Sequence, residues 1–322
     1  MPRTTTDLEY RPATPEDATF AADVDTAVHP HRPRDPVVYR YWWAQPDEAI
    51  SFARFVVARG PRPIGVAEWS HARWEVQPER YGTAGCEILP EERDRATINA
   101  AMAEMEERVI TEGARVLRAW SNEDDPLRIE TLLARGYVED RRSKRWELDL
   151  VANRERLLAM TKGSRARMRA EGIRLLTLAD DDDPDAIEKI WRVSEEAVED
   201  VPTTVPHVPE AMAGYVRWVN APEIHRDRFW IARIGGEVVG VSVLAYPPAR
   251  GVVSTEWTAT ARAVRGRGVA RALKCETVAQ AIALGVDRVR TGNDAANAPI
   301  LHLNETMGYR RIAGSIHFLK RV

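Results

Sequence analysis

Residues 265–270 read Arg265-Gly266-Arg267-Gly268-Val269-Ala270 and stand between a strand pattern and a helix pattern. Upstream, Val252 to Ala261 reads as a strand. Downstream, Ala270, Leu273, Thr277, Ala281 and Leu284 trace one helical face, which Gly285 ends. The first turn of a helix has unpaired N–H groups and the positive end of the helix dipole. Gly266 and Gly268 allow unusual backbone angles and close approach of a ligand, and Arg265 and Arg267 can add charge. The arrangement suits a phosphate; taken alone, the loop is equally a tight strand-to-helix turn with no ligand. It lacks the three spaced glycines of a dinucleotide site and the Lys-Ser/Thr of a nucleotide-triphosphate loop.

The punctuation around this loop occurs twice. Arg93 precedes Arg265 by 172 residues, and the same offset carries Gly113 onto Gly285, Gly136 onto Gly308 and Tyr137 onto Tyr309. In the first copy Ile98, Met102, Met105 and Val109 mark a helical face, Gly113 ends it, and Val116, Leu117 and Trp120 read as a strand. In the second, Val286 to Thr291 alternates like a strand. Upstream, Phe229 to Ile234 runs into the hairpin signal Gly235-Gly236 and resumes from Val238 to Ala245. Phe52 to Ala58 and Ile64 to Trp69 play that part in the first half. Each half therefore reads as a mixed α/β unit, over 1–150 and 151–322. Residues 151–172, with six Arg and Lys from Arg154 to Arg169, read as a solvated helical linker between them.

The 322 residues suit two domains. Hydrophobic residues are 44% and charged residues 30%, as in ordinary globular proteins. The net charge of −3, with 46 basic and 49 acidic residues, argues against a nucleic-acid partner. No apolar run approaches ~18 residues, so no membrane span is expected. Met1 to Asp7 lacks the apolar core of a signal peptide, which gives a cytoplasmic reading. Cys86 and Cys275 read as small buried residues, and no metal-ligand spacing is present.

The C-terminal half resembles the GNAT superfamily of N-acetyltransferases, whose acyl-CoA loop runs Gln/Arg-x-x-Gly-x-Gly/Ala. Arg265, Gly268 and Ala270 fit it, and Asn297 followed by Met307-Gly308-Tyr309 matches the family's later Asn and Leu-Gly-Phe/Tyr. The resemblance is good over about 173–320 and weaker over the first half. It implies an α/β (α+β) fold of two tandem GNAT-like domains, each a mixed, mostly antiparallel sheet flanked by helices. It further implies acetyl-CoA as acyl donor, with no metal. The main chain from Gly266 through Arg267, Gly268, Val269 and Ala270 to Arg271 would hold the pyrophosphate. The strand around Thr260 and Arg262 would align the pantetheine, the amide near Thr260 would polarise the thioester, and Asn297 would contact CoA.

For acid–base chemistry, Glu256 precedes Thr260 by four residues, where some family members carry a base. Period two puts it on one strand face with Thr258 and Thr260. Its two readings are a general base and a solvated or paired strand carboxylate. Most family members have an acidic Tyr where this chain has Asn304, and an amide cannot supply that proton. Asn304 is left to hydrogen-bond the sulfur or CoA, or to support structure. The first copy has Asp94 for Gly266, Ala96 for Gly268, Ala84 for Glu256 and Asp125 for Asn297. It reads as structural, or as shaping the acceptor site.

Residues 200–222, rich in proline and containing His207, Tyr215 and Trp218, read as a lid over the acceptor pocket or as a packed loop. Asp180 to Asp183 before Pro184 reads as a helix start. The leading function is acetyl transfer to a primary amine of a small molecule or peptide. A non-catalytic acyl-CoA sensor is the alternative from another class, and mycothiol synthase or aminoglycoside N-acetyltransferase activity are narrower enzyme alternatives. Oligomeric state stays open between monomer and homodimer.

Overall fold

Twelve strands join edge to edge in one mixed sheet, and nine α-helices flank it among the described residues of the computed structural model, 8–322. Met1 to Asp7, on which the reading of the chain's start rests, lie outside them. The first half runs β1 (Leu8–Pro12), α1 (Ala18–Val28), α2 (Pro36–Ala44), β2 (Ile50–Arg59), β3 (Arg62–Ala72) and β4 (Tyr81–Ile88). It continues through α3 (Arg95–Thr111), β5 (Val116–Asn122), α4 (Pro126–Ala134) and β6 (Val138–Asp149). After α5 (Arg154–Ala170) the second half repeats the order: β7 (Arg174–Thr177), α6 (Ala186–Val198), α7 (Met212–Val219), β8 (Phe229–Ile234) and β9 (Glu237–Ala245). Then come β10 (Ser254–Thr260), α8 (Val269–Ala283), β11 (Arg288–Asp294), α9 (Ala298–Met307) and β12 (Arg310–Arg321). The 172-residue offset carries β5 onto β11 and β6 onto β12 from end to end.

The strand order is β1-β2-β3-β4-β5-β12-β6-β11-β10-β9-β8-β7. All neighbours are antiparallel except β4 with β5 and β10 with β11. Reversing the order while exchanging the halves reproduces it, so a pseudo-twofold axis passes between β6 and β12. Each half gives its last strand to the other: β12 pairs with β5, and β6 pairs with β11. The cores follow the exchange. Ile316 and Phe318 of β12 are buried with Ile98, Met102 and Leu117 of the first half. Trp146 and Leu148 of β6 are buried with Val278, Val289 and Met307 of the second. Burying a side chain of this size contributes about 1.5–3 kcal/mol, so each half draws part of its core stability from the other.

Two sequence expectations change. Helix α5 forms, but it is not solvated all round. Leu157, Thr161 and Met168 are buried, Thr161 Oγ1 donates to the Cys275 carbonyl at 3.1 Å, and Arg165 pairs with Glu276 of α8. The Asp180–Asp183 run does not start a helix: α6 begins at Ala186. Asp181 and Asp183 instead clasp Arg233 of β8, which is 3% exposed, at 2.6 and 2.9 Å. A guanidinium that deep requires counter-charges, and the acidic run supplies them.

Candidate active site

Strands β10 and β11 run parallel but share one paired position, Ser254 with Arg290. Past it they separate, and the edge of β10 facing the fork is left without a partner strand. At the mouth of the fork the chain turns through Arg262–Val264 into the glycine loop. Gly266 and Gly268 take φ of +75° and +88°, the left-handed region that a side chain disfavours. Gly268 is the N-cap of α8 and has no side chain with which to cap it. The N–H groups of Gly268, Val269, Ala270 and Arg271 have no acceptor among the described residues. An uncapped helix start leaves N–H groups and the positive end of the helix dipole free, which suits an anion.

The loop arginines are held ready beside this start. Arg265 pairs with Asp200 at 2.7 Å, and Arg262 pairs with Asp200 and Glu199 at 2.9 Å each. Arg262, then Arg265, hold the Asp200 carboxyl down at about 2. Arg267 pairs with Glu171 at 2.8 Å, and Arg271 is exposed. The Arg262 N–H itself donates to Glu196 at 2.7 Å. Val269 is buried, and Ala270 half-buried, against the sheet. Thr260 pairs with Gly240 at the end of β10. Asn297 is the N-cap residue of α9, half-buried, with no cap bond of its own.

Glu256 is the extra residue of a β-bulge in β10, where the register against β9 shifts between Thr255 and Trp257. The bulge cancels the period-two argument. Thr255, Thr258 and Thr260 pair with Leu244, Ser242 and Gly240, while Glu256 leaves that alternation. Its side chain opens on two cavities. One, of about 300 Å³, is lined by Arg32, Arg34, Tyr39, Arg145, Glu223 and Arg290 among others. The other, of about 320 Å³, is lined by Trp42, Tyr215, Trp218 and Trp257 together with Glu195 and Glu210. Glu256 is exposed to the cleft; desolvation by the surrounding walls, then the neighbouring Glu223 carboxylate, raise its pKa, and Arg34 opposes them. Asn304 lies deeper, at 0% exposure. Its Nδ2 donates to Asn293 Oδ1 at 2.8 Å, and its Oδ1 has no partner.

The equivalent fork in the first half is filled. Strands β4 and β5 pair at three positions, and β4 carries no bulge against β3. Arg128 of α4, 4% exposed, reaches into the fork. It donates to the main-chain oxygen of Cys86 on β4 at 2.5 Å and of Trp120 on β5 at 2.9 Å, and to Glu87 at 3.1 Å. Asp94 caps α3 by accepting from Thr97 N at 2.7 Å, placing a carboxylate where the second half leaves its helix start open. Asp125 pairs with Arg93, the counterpart of Arg265.

The lids cross between halves. Segment 201–211 lies mostly away from Glu256 and reaches its cavity through Glu210. It closes a cavity of about 600 Å³ over β3, β4 and β5 of the first half and the β12 strand exchanged onto them, lined by His71, Arg118, Asp140 and His317. The equivalent segment of the first half, Arg32 to Tyr39, covers Glu256. Of the expected lid, Glu210 and, on α7, Tyr215 and Trp218 line the cavity beside Glu256. Arg32, Arg34, Tyr39 and Glu223 were invisible to sequence reading, because nothing local ties them to Glu256, 33 to 224 residues away. The crossing could have been sought only through the repeat.

Residues 190–309 match the family model described as the acetyltransferase (GNAT) family. In fold, the whole chain is similar to a tandem GNAT protein from the clavulanic acid biosynthesis pathway, with a TM-score of 0.74 and 16% identity over 98% of each chain. It is also similar to a GCN5-related N-acetyltransferase from Sphaerobacter thermophilus, with a TM-score of 0.68 and 16% identity over 98% of this chain and 95% of that one. No curated protein is significantly similar to it in sequence. The fold is that of a tandem GNAT protein, and the family match lies in the second half.

Proposed function

We propose that this chain, a tandem GNAT fold whose family match lies in its second half, is an acetyl-CoA-dependent N-acyltransferase with one working active site. The observation that carries the reading is the uncapped start of α8 at Gly268, set at the mouth of an open fork whose inner wall carries Glu256. In this reading the N–H groups from Gly266 to Arg271 bind the CoA pyrophosphate, and Arg265 and Arg267 turn from their acid partners toward it. The pantetheine lies along the free edge of β10. The N–H near Thr260 donates to the thioester oxygen, where negative charge develops.

A primary amine enters from the side of the two cavities. Glu256, directly or through a water, takes a proton from the amine as its nitrogen attacks the acetyl carbon. The tetrahedral intermediate collapses with the electron pair leaving on sulfur. Asn304 has no proton to give, so CoA departs as the thiolate and is protonated from solvent. The plugged fork of the first half supports a supporting role for that half: through Arg32 to Tyr39 it completes the acceptor site.

Calorimetric titration with acetyl-CoA, and release of free CoA across a panel of amines, test the proposal. Gly268→Asp installs the cap of the first half at a left-handed position. It should weaken acetyl-CoA binding at least 100-fold while the fold, followed by circular dichroism, is kept. Unchanged affinity refutes the site. Tight binding without turnover on any amine favours the sensor reading instead.

A further inference from the structure

The smaller cavity beside Glu256 is built around arginines that acetyl transfer to a plain amine does not require. Arg32 and Arg34 come from the first half's α1–α2 loop, Arg145 from β6 and Arg290 from β11. Three of them have partners. Arg34 bonds Asp25 at 3.1 Å, Arg145 bonds Asn122 Oδ1 at 2.7 Å, and Arg290 pairs with Glu147 at 2.7 Å. Among the described residues Arg32 has no acceptor. Its Nε and Nη2 are buried without a hydrogen bond, and its guanidinium lies 5.4 Å from the Trp120 ring centroid. Burial, and after it the neighbouring Arg34 and Arg145, push its pKa down to about 10.

None of the acids lining the cavity hydrogen-bonds Arg32 among the described residues. Asp35 already accepts from the N–H groups of Val37, Val38, Ala249 and Arg250. Glu223 and Glu256 are both shifted toward their neutral forms, chiefly by desolvation. A buried guanidinium with unused donors is costly unless something supplies the acceptor. Its planar fork fits carboxylate and phosphate oxygens best.

We propose that the acceptor amine carries an anionic group, a carboxylate or a phosphate, and that Arg32, backed by Arg34 and Arg145, binds it in this cavity. The inference rests on the acyltransferase reading above and adds the substrate class. It also gives the first half a specificity role: that half reads the anion, and the second half carries out the transfer beside Glu256.

The test uses matched amines: amino acids against their amides, phosphoethanolamine against ethanolamine, and glucosamine 6-phosphate against glucosamine. The anionic member of at least one pair should show a kcat/KM at least tenfold higher, and the pair that shows it tells carboxylate from phosphate. Arg32→Gln should remove the preference through KM, with acetyl-CoA affinity unchanged, and Arg32→Lys should keep part of it. Equal or better use of the neutral members overturns the proposal. So does an Arg32→Gln effect that follows the donor, seen with succinyl-CoA but not with acetyl-CoA. If no amine turns over, the acyltransferase reading fails separately. The anion site is then judged by calorimetric titration of the CoA-saturated protein with the same anionic amines. Saturable binding lost in Arg32→Gln upholds it, and no binding overturns it.

Discussion

Arg128 donates to the main-chain oxygen of Cys86 at 2.5 Å, inside the fork that the second half leaves open. The residue at the equivalent place on α9 is Ile300, which has no donor to offer. A guanidinium bonded to both walls closes the first fork, and Asp94 closes its helix start. The difference between the halves is thus a set of internal contacts that the first half makes: a cation across the fork, a carboxylate on the helix start and an ion pair from Asp125 to Arg93.

One acetyl-CoA per chain is therefore expected in calorimetry. Moving the plug, by Ile300→Arg, should abolish that single event. Arg128→Ala should not create a second site, because Asp94 still caps α3. It should destabilise the protein by about 3–5 kcal/mol, since Glu87 loses its buried partner. Two binding events in the wild type would contradict the assignment of roles.

The pH profile should report Glu256. As a base it works deprotonated, so kcat/KM rises with pH through its pKa, which desolvation and then Glu223 raise above the ordinary glutamate value. Glu223→Gln removes a like charge and should move that acid limb to lower pH. Glu256→Gln should lower kcat/KM by about 10²–10⁴ and remove the limb. A limb that ignores Glu223→Gln would place the titrating group elsewhere.

The strand exchange makes a prediction about folding. Phe318 belongs by sequence to the second half, yet it is 1% exposed in the core of the first. Phe318→Ala should cost about 3–5 kcal/mol, and amide exchange should loosen first in β5 and α3, far from it in sequence. Residues 1–150 expressed alone should lack a stable fold, because β5 then has an unpaired edge. A well-folded, monomeric 1–150 would show that the exchanged strand is dispensable.

The repeat made the layout legible, since its punctuation is local: helix faces, Gly113 and Gly285, and the glycine loop. Strand ends were less legible: Val286 to Thr291 reads as a strand, whereas β11 runs Arg288–Asp294. The acceptor side was not legible. Arg32 lies in the counterpart of a segment read as its own half's lid, and only the pseudo-twofold brings it to Glu256. The bulge at Glu256 was hidden for another reason: one extra residue in a strand leaves no mark in an alternation that is already irregular. Lys274 was missed because it borders a helical face otherwise made of Ala270, Leu273, Thr277 and Ala281, where a lysine reads as solvated.

Lys274 offers the last test. It is 1% exposed, its Nζ has no hydrogen-bond partner among the described residues, and that nitrogen lies 5.1 Å from the Tyr309 ring centroid. Burial lowers its pKa from 10.5 to about 8. Between those values the unfolded chain holds a proton that the folded chain has released, so folding stability rises with pH across that window, by about 1.4 kcal/mol per unit. Below about pH 8 both states are charged, and the folded protein bears the full penalty, on the order of 3 kcal/mol. Lys274→Met keeps the length and removes the charge. It should raise the melting temperature at pH 7, and its advantage over the wild type should shrink as pH approaches 10. A variant that is less stable than wild type by the same amount at both pH values would mean that the ammonium carries no burial penalty. The orphaned nitrogen would then be paired in solution, and the pH dependence assigned to it here would be wrong.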